Sequence, residues 1–566
     1  PGTSLAGPAL ITEANSTTIV EPGWTLTVND ARQLLLERTT KLQPKQQESG
    51  AVDPVQLEIF NNRFMHVAEE MGAVLQQTAR SVNIKERLDF SCALFTTAGD
   101  LIANAPHIPV HLGSMDDSIK VLLQQHPAEL LTGTSFLANA PYNGGTHLPD
   151  ITVISPVLDA AGDLLFMVAS RAHHADIGGI TPGSMPPHSQ HIGEEGIVFD
   201  NLAIVSNGKF LEDDLRTQLM TPEYPARNPD QNVADIKAQI AANERGRTLL
   251  LEMVQQHGGP IVSAYTQYVQ DNAEESVRRA IERLGQLGTE CFSYPFDNGQ
   301  QISVRVRVDH DKREATIDFT GTSAAQDNNL NAPVSVCRAA VLYVFRTLVN
   351  ANIPLNAGCL KPLNLIIPEG CMLSPRFPAA VVGGNVETSQ CVTDALYGAL
   401  GVLAASQGTM NNLSFGNDEF QYYETICGGA GAGANFDGAD AVQTHMTNSR
   451  MTDAEVLESR LPVLVREFSI RPNSGGTGAH VGGNGAVRKL EFRTTMSAAI
   501  LSNHRSIPPF GLAGGGNALT GQNLIVRRDG SIEEPGGIVM TKVQEGDVLV
   551  IKTPGGGGYG VPPDTT

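Results

Sequence analysis

The chain predicts a mixed α/β protein of several subdomains that ends in a long antiparallel β-rich region. Three observations carry that expectation. At 566 residues the chain exceeds what one hydrophobic core supports and calls for roughly three or four domain-sized units. Its 57 Gly and 33 Pro stand above the ~12% combined usage of ordinary proteins, which means many turns and loops rather than a helical bundle. The apolar period also changes along the chain, from 3.6 in the first half to 2 near Gln301 and again beyond residue 460.

Residues 1–40 read as a β-rich unit, with GPALI, STTIV and WTLTV as short strands between Asn15 and Pro22-Gly23 turns. Residues 41–52 are polar and aperiodic, the pattern of a linker. A first body spans 53–290. It opens with Asp53 as N-cap, Pro54 at the first helical position and Gln56 completing a capping box. Leu57, Phe60, Phe64, Val67, Met71 and Val74 then follow at helical spacing and form a core face. Two hairpins come next. DFSCALF-TTAGD-LIANA brings Asp89 and His107 out at one open end, and ITVISPVL-DAAGD-LLFMVAS sets Asp150 opposite His173. A one-residue slip would destroy either juxtaposition. Helices are expected over 233–256 and 262–287. The second body, 291–566, starts with alternating Ile302, Val304, Val306 and Val308. It holds buried helices near 336–349 and 390–405, the latter capped by Thr388 or Ser389, and then Gly-rich strands with an Asp529-Gly530 hairpin signal.

The formal charge of −21 argues against nucleic acid or an anionic membrane as partner, since both select basic surfaces. No apolar run reaches 18 residues, and no leader sequence is expected. Seven scattered cysteines without a CxxC pair fit reduced thiols in a cytoplasmic protein.

Chemistry concentrates between His107 and His191, where eight of the 14 histidines fall (107, 111, 126, 147, 173, 174, 188 and 191). Imidazoles interleaved with carboxylates on Gly-rich loops suit a divalent ion with an open coordination position. His147-x-x-Asp150 is the strongest element, with His173, His174 and Asp176 following and Asp89 the best further carboxylate. A loop HxxD that only caps and hydrogen-bonds is the plain alternative. The hairpin convergence and the second His pair favour a metal: Zn, Mn, Fe or Mg. Whether His173 or His174 is the ligand stays open at this level. His107, His111, His188 and His191 read as structural or supporting groups. Glu194 and Glu195 are candidates for a general base, against a solvated surface pair.

Other motifs are weaker. The glycine runs at 428–433, 475–485 and 555–558 resemble phosphate loops only in composition, and none reads GxxxxGKS or strand–GxGxxG–helix. Tight turns, or backbone approaching a partner, are the expectation there. Arg450, Arg460, Arg466 and Arg505 default to salt bridges, and Cys337, Cys359, Cys391 and Cys427 to buried thiols.

Several stretches together resemble the hydantoinase B/oxoprolinase family: ERLDFSCALF (86–95), HIPVHLGSM (107–115), NAPYNGGTHLPDITVISPV (139–157), SRAHHADIGG (170–179) and GEEG (193–196). GGNVETSQ (383–390), SGGTGAHVGGNGAVR (474–488) and TPGGGGYG (553–560) match as well. The resemblance covers about residues 50–562, while residues 1–40 resemble the last strands of a hydantoinase A-type domain. That order is the layout of the family's fused ATP-dependent members. The resemblance implies an enzyme in which an A-type half uses ATP to phosphorylate the lactam oxygen of 5-oxoproline. The B-type half then opens the ring with water to give glutamate. It implies a divalent metal (Mn, Zn or Mg) on His147, Asp150 and His173 with Asp89 near, an A-type partner half, and a homo-oligomer such as a dimer. Hydantoin or another cyclic amide, a ketone-carboxylase subunit, and a non-catalytic scaffold for the ATP-using half are the alternatives. One departure stands out: the family loop reads N-D-P-Y, and here Ala140 replaces the Asp, which bears on how a metal ligand is oriented.

Overall fold

The computed structural model describes residues 1–40, 52–284, 291–350 and 353–562. Two compact units emerge, Pro1–Asp53 and Pro54–Thr566. The expected linker at 41–52 lies outside the described residues except for its last position. So do the ends of the first body and of the helix expected to run to 287.

The first unit is all β. Ser4–Ala6, Trp24–Val28 and Leu34–Arg38 form a three-stranded antiparallel sheet, and Ala9–Thr12 pairs with Thr17–Val20 as a hairpin.

The second unit is built on a seven-stranded antiparallel sheet. Its order is Lys209–Phe210, Leu202–Ser206, Ser135–Ala138, Asp150–Leu158, Leu164–His173, Phe90–Phe95, Leu101–Asn104. The helices Pro54–Thr78, Pro229–His257 and Gly259–Arg283 pack against it. The apolar stripe read from the sequence is buried: Phe60, Phe64, Val67 and Met71 are inside, with Leu57 and Val74 at the rim of the same cluster. Burying a side chain of this size contributes about 1.5–3 kcal/mol, so this stripe, not intrinsic propensity, fixes the 25-residue helix.

A four-stranded sheet (Phe292–Pro295, Gln301–Asp309, Glu314–Asp318, Leu363–Ile366) follows, its last pair parallel. It packs with the buried helices Val334–Thr347 and Ser389–Leu400 in the largest core. Two expectations need correction here. The second helix stops at Leu400, not 405, because Gly401 turns left-handed (φ 69°) and caps it. Neither Thr388 nor Ser389 caps its start, because the chain enters it through a π-helical turn, Gly384–Thr388, and Thr388 spends its hydroxyl on the Leu330 carbonyl at 2.5 Å.

The C-terminal region holds a four-stranded sheet (Gln421–Glu424, Asn412–Gly416, Met496–Leu501, Ile538–Val543). A five-stranded one (Val463–Arg471, Gly485–Phe492, Val548–Lys552, Gln522–Val526, Ile532–Glu533) lies beside it, with the Asp529-Gly530 turn joining the last two strands. Its glycine runs are packing devices. A Cβ on Gly482 would stand 1.8 Å from the Gly556 carbonyl oxygen, one on Gly556 1.9 Å from that of Ala430, and one on Gly557 1.9 Å from that of Phe510. The runs at 428–433, 475–485 and 555–558 therefore lie backbone on backbone, tied by bonds such as Gly476 N–H to the Gly556 carbonyl (2.8 Å) and Gly556 N–H to that of Gly483 (2.9 Å). They approach one another. All seven cysteines are unpaired and only Cys291 is exposed. No helix among the described residues is long and apolar enough to cross a membrane.

Candidate metal centre

The site grows out of the hairpin Asp150–Leu158/Leu164–His173. Its turn is self-determined: the Asp159 carboxylate accepts the amides of Ala161 (2.8 Å) and Asp163 (2.9 Å), and Gly162 supplies the positive φ of 91°. That turn fixes a register in which Asp150 and His173 are direct partners at the far end. The preceding loop folds back through the Asp150 N–H to the His147 carbonyl (3.1 Å) and carries the His147 side chain to the same point.

Asp150 is the hub, and its carboxylate is fully enclosed. Its Oδ1 faces His147 Nε2 at 3.0 Å and His173 Nδ1 at 3.1 Å. Its Oδ2 faces His111 Nε2 at 3.1 Å and accepts from Thr146 Oγ1 (2.8 Å) and Asn385 Nδ2 (3.2 Å). Burial works to raise the pKa of Asp150, yet the His147 and His111 imidazoles overcome it and hold the carboxyl well below the usual range. Burial likewise lowers the pKa of His173, so its imidazole is neutral and has a lone pair to give.

The donor set fits a metal. Ligand atoms of His147, Asp150 and His173 all lie within 4.8 Å of one another. His147 Nε2 approaches Asp150 without the alignment of a hydrogen bond, and neither nitrogen of this buried ring has a hydrogen-bond partner; His173 Nε2 has none either. Each such buried orphan costs about 1–3 kcal/mol, and one divalent ion would engage one nitrogen of each ring together with the Asp150 carboxylate. Asp89 reaches the same cavity, whose free space of about 20 Å³ matches one ion or water.

Four further features complete the centre, and of these only His111 is read from the sequence, as a structural or supporting group. His111 bridges Asp150 and Ser91 Oγ (3.3 Å from its Nδ1). Asn385 arrives from the π-helical turn, 235 residues away in sequence. Arg87 sits 3.8 Å from the Asp89 carboxylate and is fully buried, donating to the Tyr423 carbonyl (2.8 Å) and to the hydroxyls of Thr425 and Ser449 (3.1 Å each). Arg171, two residues before His173 on the same face of its strand, is held only by hydroxyls: Thr152 (2.7 Å), Ser114 (2.6 Å) and Ser118 (3.1 Å). The HIPVHLGSM run was a usable signal for His111. Asn385 lies in the GGNVETSQ run, but nothing local in that run gives it a place at this centre.

The structure does not bring the remaining candidates to the cluster. His173 and His174 project to opposite sides, as successive residues of extended chain must. His174 turns to the helix Pro229–His257. There Gln239, whose Nε2 donates to the Ile151 and Ser170 carbonyls (2.9 Å each), leaves Oε1 to accept from His174 Nε2 at 3.1 Å, and Asn232 donates to His174 Nδ1 at 3.2 Å. Asp176 is consumed by Arg227 (2.9 Å) and by the amides of Gly178 and Gly183 (3.0 Å each). His107 and Asp89 leave the first hairpin together, but His107 folds inward. Its Nδ1 accepts the Cys92 amide (3.0 Å), its ring lies edge-on to Phe90, and burial followed by the nearby His111 pushes its pKa down to about 4.

Glu195 spends its carboxylate on the amides of Val381 (3.0 Å) and Val382 (2.9 Å) and on the Ser189 hydroxyl (2.9 Å), which steadies the segment leading to Asn385. Burial pushes its pKa up to about 7, against those hydrogen bonds. Glu194 caps the Gln190 amide (2.7 Å) and lies 3.4 Å from the largely exposed His191.

Comparison with known proteins agrees with this architecture. 5-Oxoprolinase 1 of Arabidopsis thaliana is 47% identical over 99% of this chain and 46% of its own length. The 5-oxoprolinase of Dictyostelium discoideum is 43% identical over 99% of this chain and 44% of its own. This chain therefore spans about half the length of the curated relatives it matches. The crystal structure of an ATP-dependent caprolactamase from Pseudomonas jessenii superposes with a TM-score of 0.81 at 24% identity, covering 91% of this chain and 93% of that one; it shares the fold. The family described as Hydantoinase B/oxoprolinase matches residues 53–562, and the chain belongs to that family.

Proposed function

We propose that this chain is the ring-opening half of an ATP-dependent cyclic amidase whose substrate is 5-oxo-L-proline. The overall reaction converts 5-oxo-L-proline, ATP and two waters to L-glutamate, ADP and phosphate. One observation carries the reading of a metal-assisted site, a buried His147–Asp150–His173 cluster with orphaned imidazole nitrogens beside a one-ion cavity; the substrate is taken from the 5-oxoprolinases that the chain resembles. The length of the named relatives supports an upstream ATP-using half as partner. The unpaired, mostly buried thiols suit a reducing, cytoplasmic setting.

His147, Asp150 and His173 would hold the ion, with Asp89 as the fourth group. A divalent Mn, Zn or Mg there supplies Lewis acidity. The chain's own residues account for the rest. Asp150, kept ionised by the imidazoles around it, provides fixed negative charge in a water-poor interior, and Arg171 beneath it offsets that charge without forming a pair. Arg87 aims the Asp89 carboxylate. His111, between Asp150 and Ser91, is placed to hold or pass a proton at Nε2. Glu195 serves as a clamp on the Val381 and Val382 amides, not as a base, and Glu194 as a cap.

A lactam is a resonance-stabilised amide with a poor leaving group. Phosphorylating its oxygen makes the ring carbon electrophilic; water adds, the ring C–N bond breaks, the nitrogen leaves as an amine, and a second water releases phosphate. Ligand pockets commonly measure ~300–1,000 Å³, and the space at this centre is about 20 Å³, room for an ion or a water.

The test is elemental analysis with an ATP-coupled 5-oxoproline assay in the presence of the upstream half. Wild type is expected to hold about one divalent ion per chain and to release glutamate. His147→Ala and Asp150→Ala are expected to lose both while remaining folded. A metal-free wild type, or full turnover in Asp150→Ala, would leave this chain a scaffold for the ATP-using half.

A further inference from the structure

The π-helical turn Gly384–Thr388 touches the centre twice. Asn385 reaches Asp150 directly. Glu387, fully buried two residues later, reaches the opposite side through a relay. Its Oε1 accepts the Met410 amide (2.9 Å) and Asn412 Nδ2 (2.7 Å). Asn412 Nδ2 also donates to the Leu501 carbonyl (2.8 Å). Both contacts demand the amide's NH₂ end, so Asn412 Oδ1 must point the other way, where it accepts the Tyr423 hydroxyl at 2.8 Å. The Tyr423 ring in turn stacks on His173, with centroids 4.5 Å apart and planes 18° from parallel. The Arg87 guanidinium stands 5.2 Å from that same ring's centroid.

We propose that Tyr423 is a positioning residue for the His173 imidazole, held in place by Asn412 and Glu387, so that one π-helical turn sets both sides of the metal cluster. His173 needs such a support. Its Nδ1 is anchored on Asp150, but a single hydrogen bond leaves the ring free to swing about that contact. Stacking on a tethered ring removes this freedom and aims Nε2, which has no partner of its own. π-helical turns are uncommon and concentrate at functional sites. The inference rests on the metal-centre reading above.

The experiment is a Co²⁺ titration of the apo full chain, reading affinity and visible absorption for wild type, Tyr423→Phe, Glu387→Leu, Glu387→Gln and the Tyr423→Phe/Glu387→Leu double variant. Loss of a supporting residue costs ~10–100-fold in metal affinity. Tyr423→Phe and Glu387→Leu should each weaken Co²⁺ by about tenfold and shift its absorption. Glu387→Gln retains an acceptor oxygen for Asn412 and should restore wild-type behaviour. The double variant should be no weaker than the weaker single, because both break one relay. Unchanged affinity and spectrum in folded Tyr423→Phe, or additive losses in the double variant, would overturn the proposal. Tyr423→Phe removes one hydroxyl and decides the question if Glu387→Leu fails to fold. A wild type that binds no Co²⁺ sinks the metal-centre reading itself; a wild type that binds while Tyr423→Phe is unaffected sinks only this inference.

Discussion

Two sets of loops stand out in this chain by composition: the histidine loops around 147–174, the stronger candidate for a site, and the glycine runs of 428–433, 475–485 and 555–558, expected as tight turns. In the folded protein they are opposites. The histidine loops bring His147 and His173 to a cavity and leave ring nitrogens of both without partners. The glycine runs leave no space at all; a Cβ on several of them would fall about 2 Å from another segment's carbonyl oxygen. Composition alone does not separate a site from a packing device. Unspent donor atoms facing a cavity do.

The comparison can be broken by mutation, starting with the strongest effect. Asp150→Ala should cost more than ~100-fold in metal affinity, beyond what a supporting residue costs, with cooperative unfolding retained; isothermal titration and thermal melts measure both. Gly482→Ala should do the reverse. Its Cβ meets backbone, not a flexible side chain, so overpacking should lower stability by ~1–3 kcal/mol or more, read by urea denaturation, while the folded fraction binds metal normally. A Gly482→Ala protein of full stability that binds metal poorly would return the glycine runs to the site.

A smaller effect sharpens the contrast between the two adjacent glutamates. Burial raises the Glu195 pKa from 4.5 to about 7. A carboxyl with a raised folded-state pKa binds more protons folded than unfolded, so its contribution is full below about 4.5 and is lost as pH rises through about 7. At 1.36 kcal/mol per unit this amounts to roughly 3 kcal/mol. Glu195→Gln should flatten the fall of stability between pH 5 and 8 in urea titrations; an unchanged slope would remove Glu195 as its source. Glu194→Gln should be the mildest change. Its side chain caps one amide near the surface, and surface substitutions of this kind stay within about 0.5 kcal/mol. Turnover in the ATP-coupled assay of the proposed reaction should be unaltered, and a large loss there would restore Glu194 as a catalytic group.

How much of the site was legible follows from how each residue is placed. Asp150 and His173 were readable because a short turn, fixed by Asp159 and Gly162, sets the register of one hairpin and hence its far end. His174 and Asp176 were drawn in by proximity in sequence, although extended backbone sends neighbours to opposite sides. His107 shares its hairpin end with Asp89, but a hydrogen bond to Cys92 and the Phe90 ring turn it inward. Asn385, Glu387, Asn412 and Tyr423 were not readable as parts of the centre, although the first two lie in the GGNVETSQ run. They sit on segments hundreds of residues from the histidine loops, and no local period announces a contact of that range.

By itself, then, the sequence determined the class of structure, the amphipathic helices, the hairpin that sets Asp150 opposite His173 and the family to which the chain belongs. These depend on periodicity, turn chemistry and motif spacing, all of which act over a few residues. Only the tertiary structure decided which imidazole faces the cavity, which glutamate is spent on backbone amides, and that a π-helical turn from the second half of the chain closes on the first. Those outcomes depend on burial and on pairing partners, which exist only once distant segments have packed.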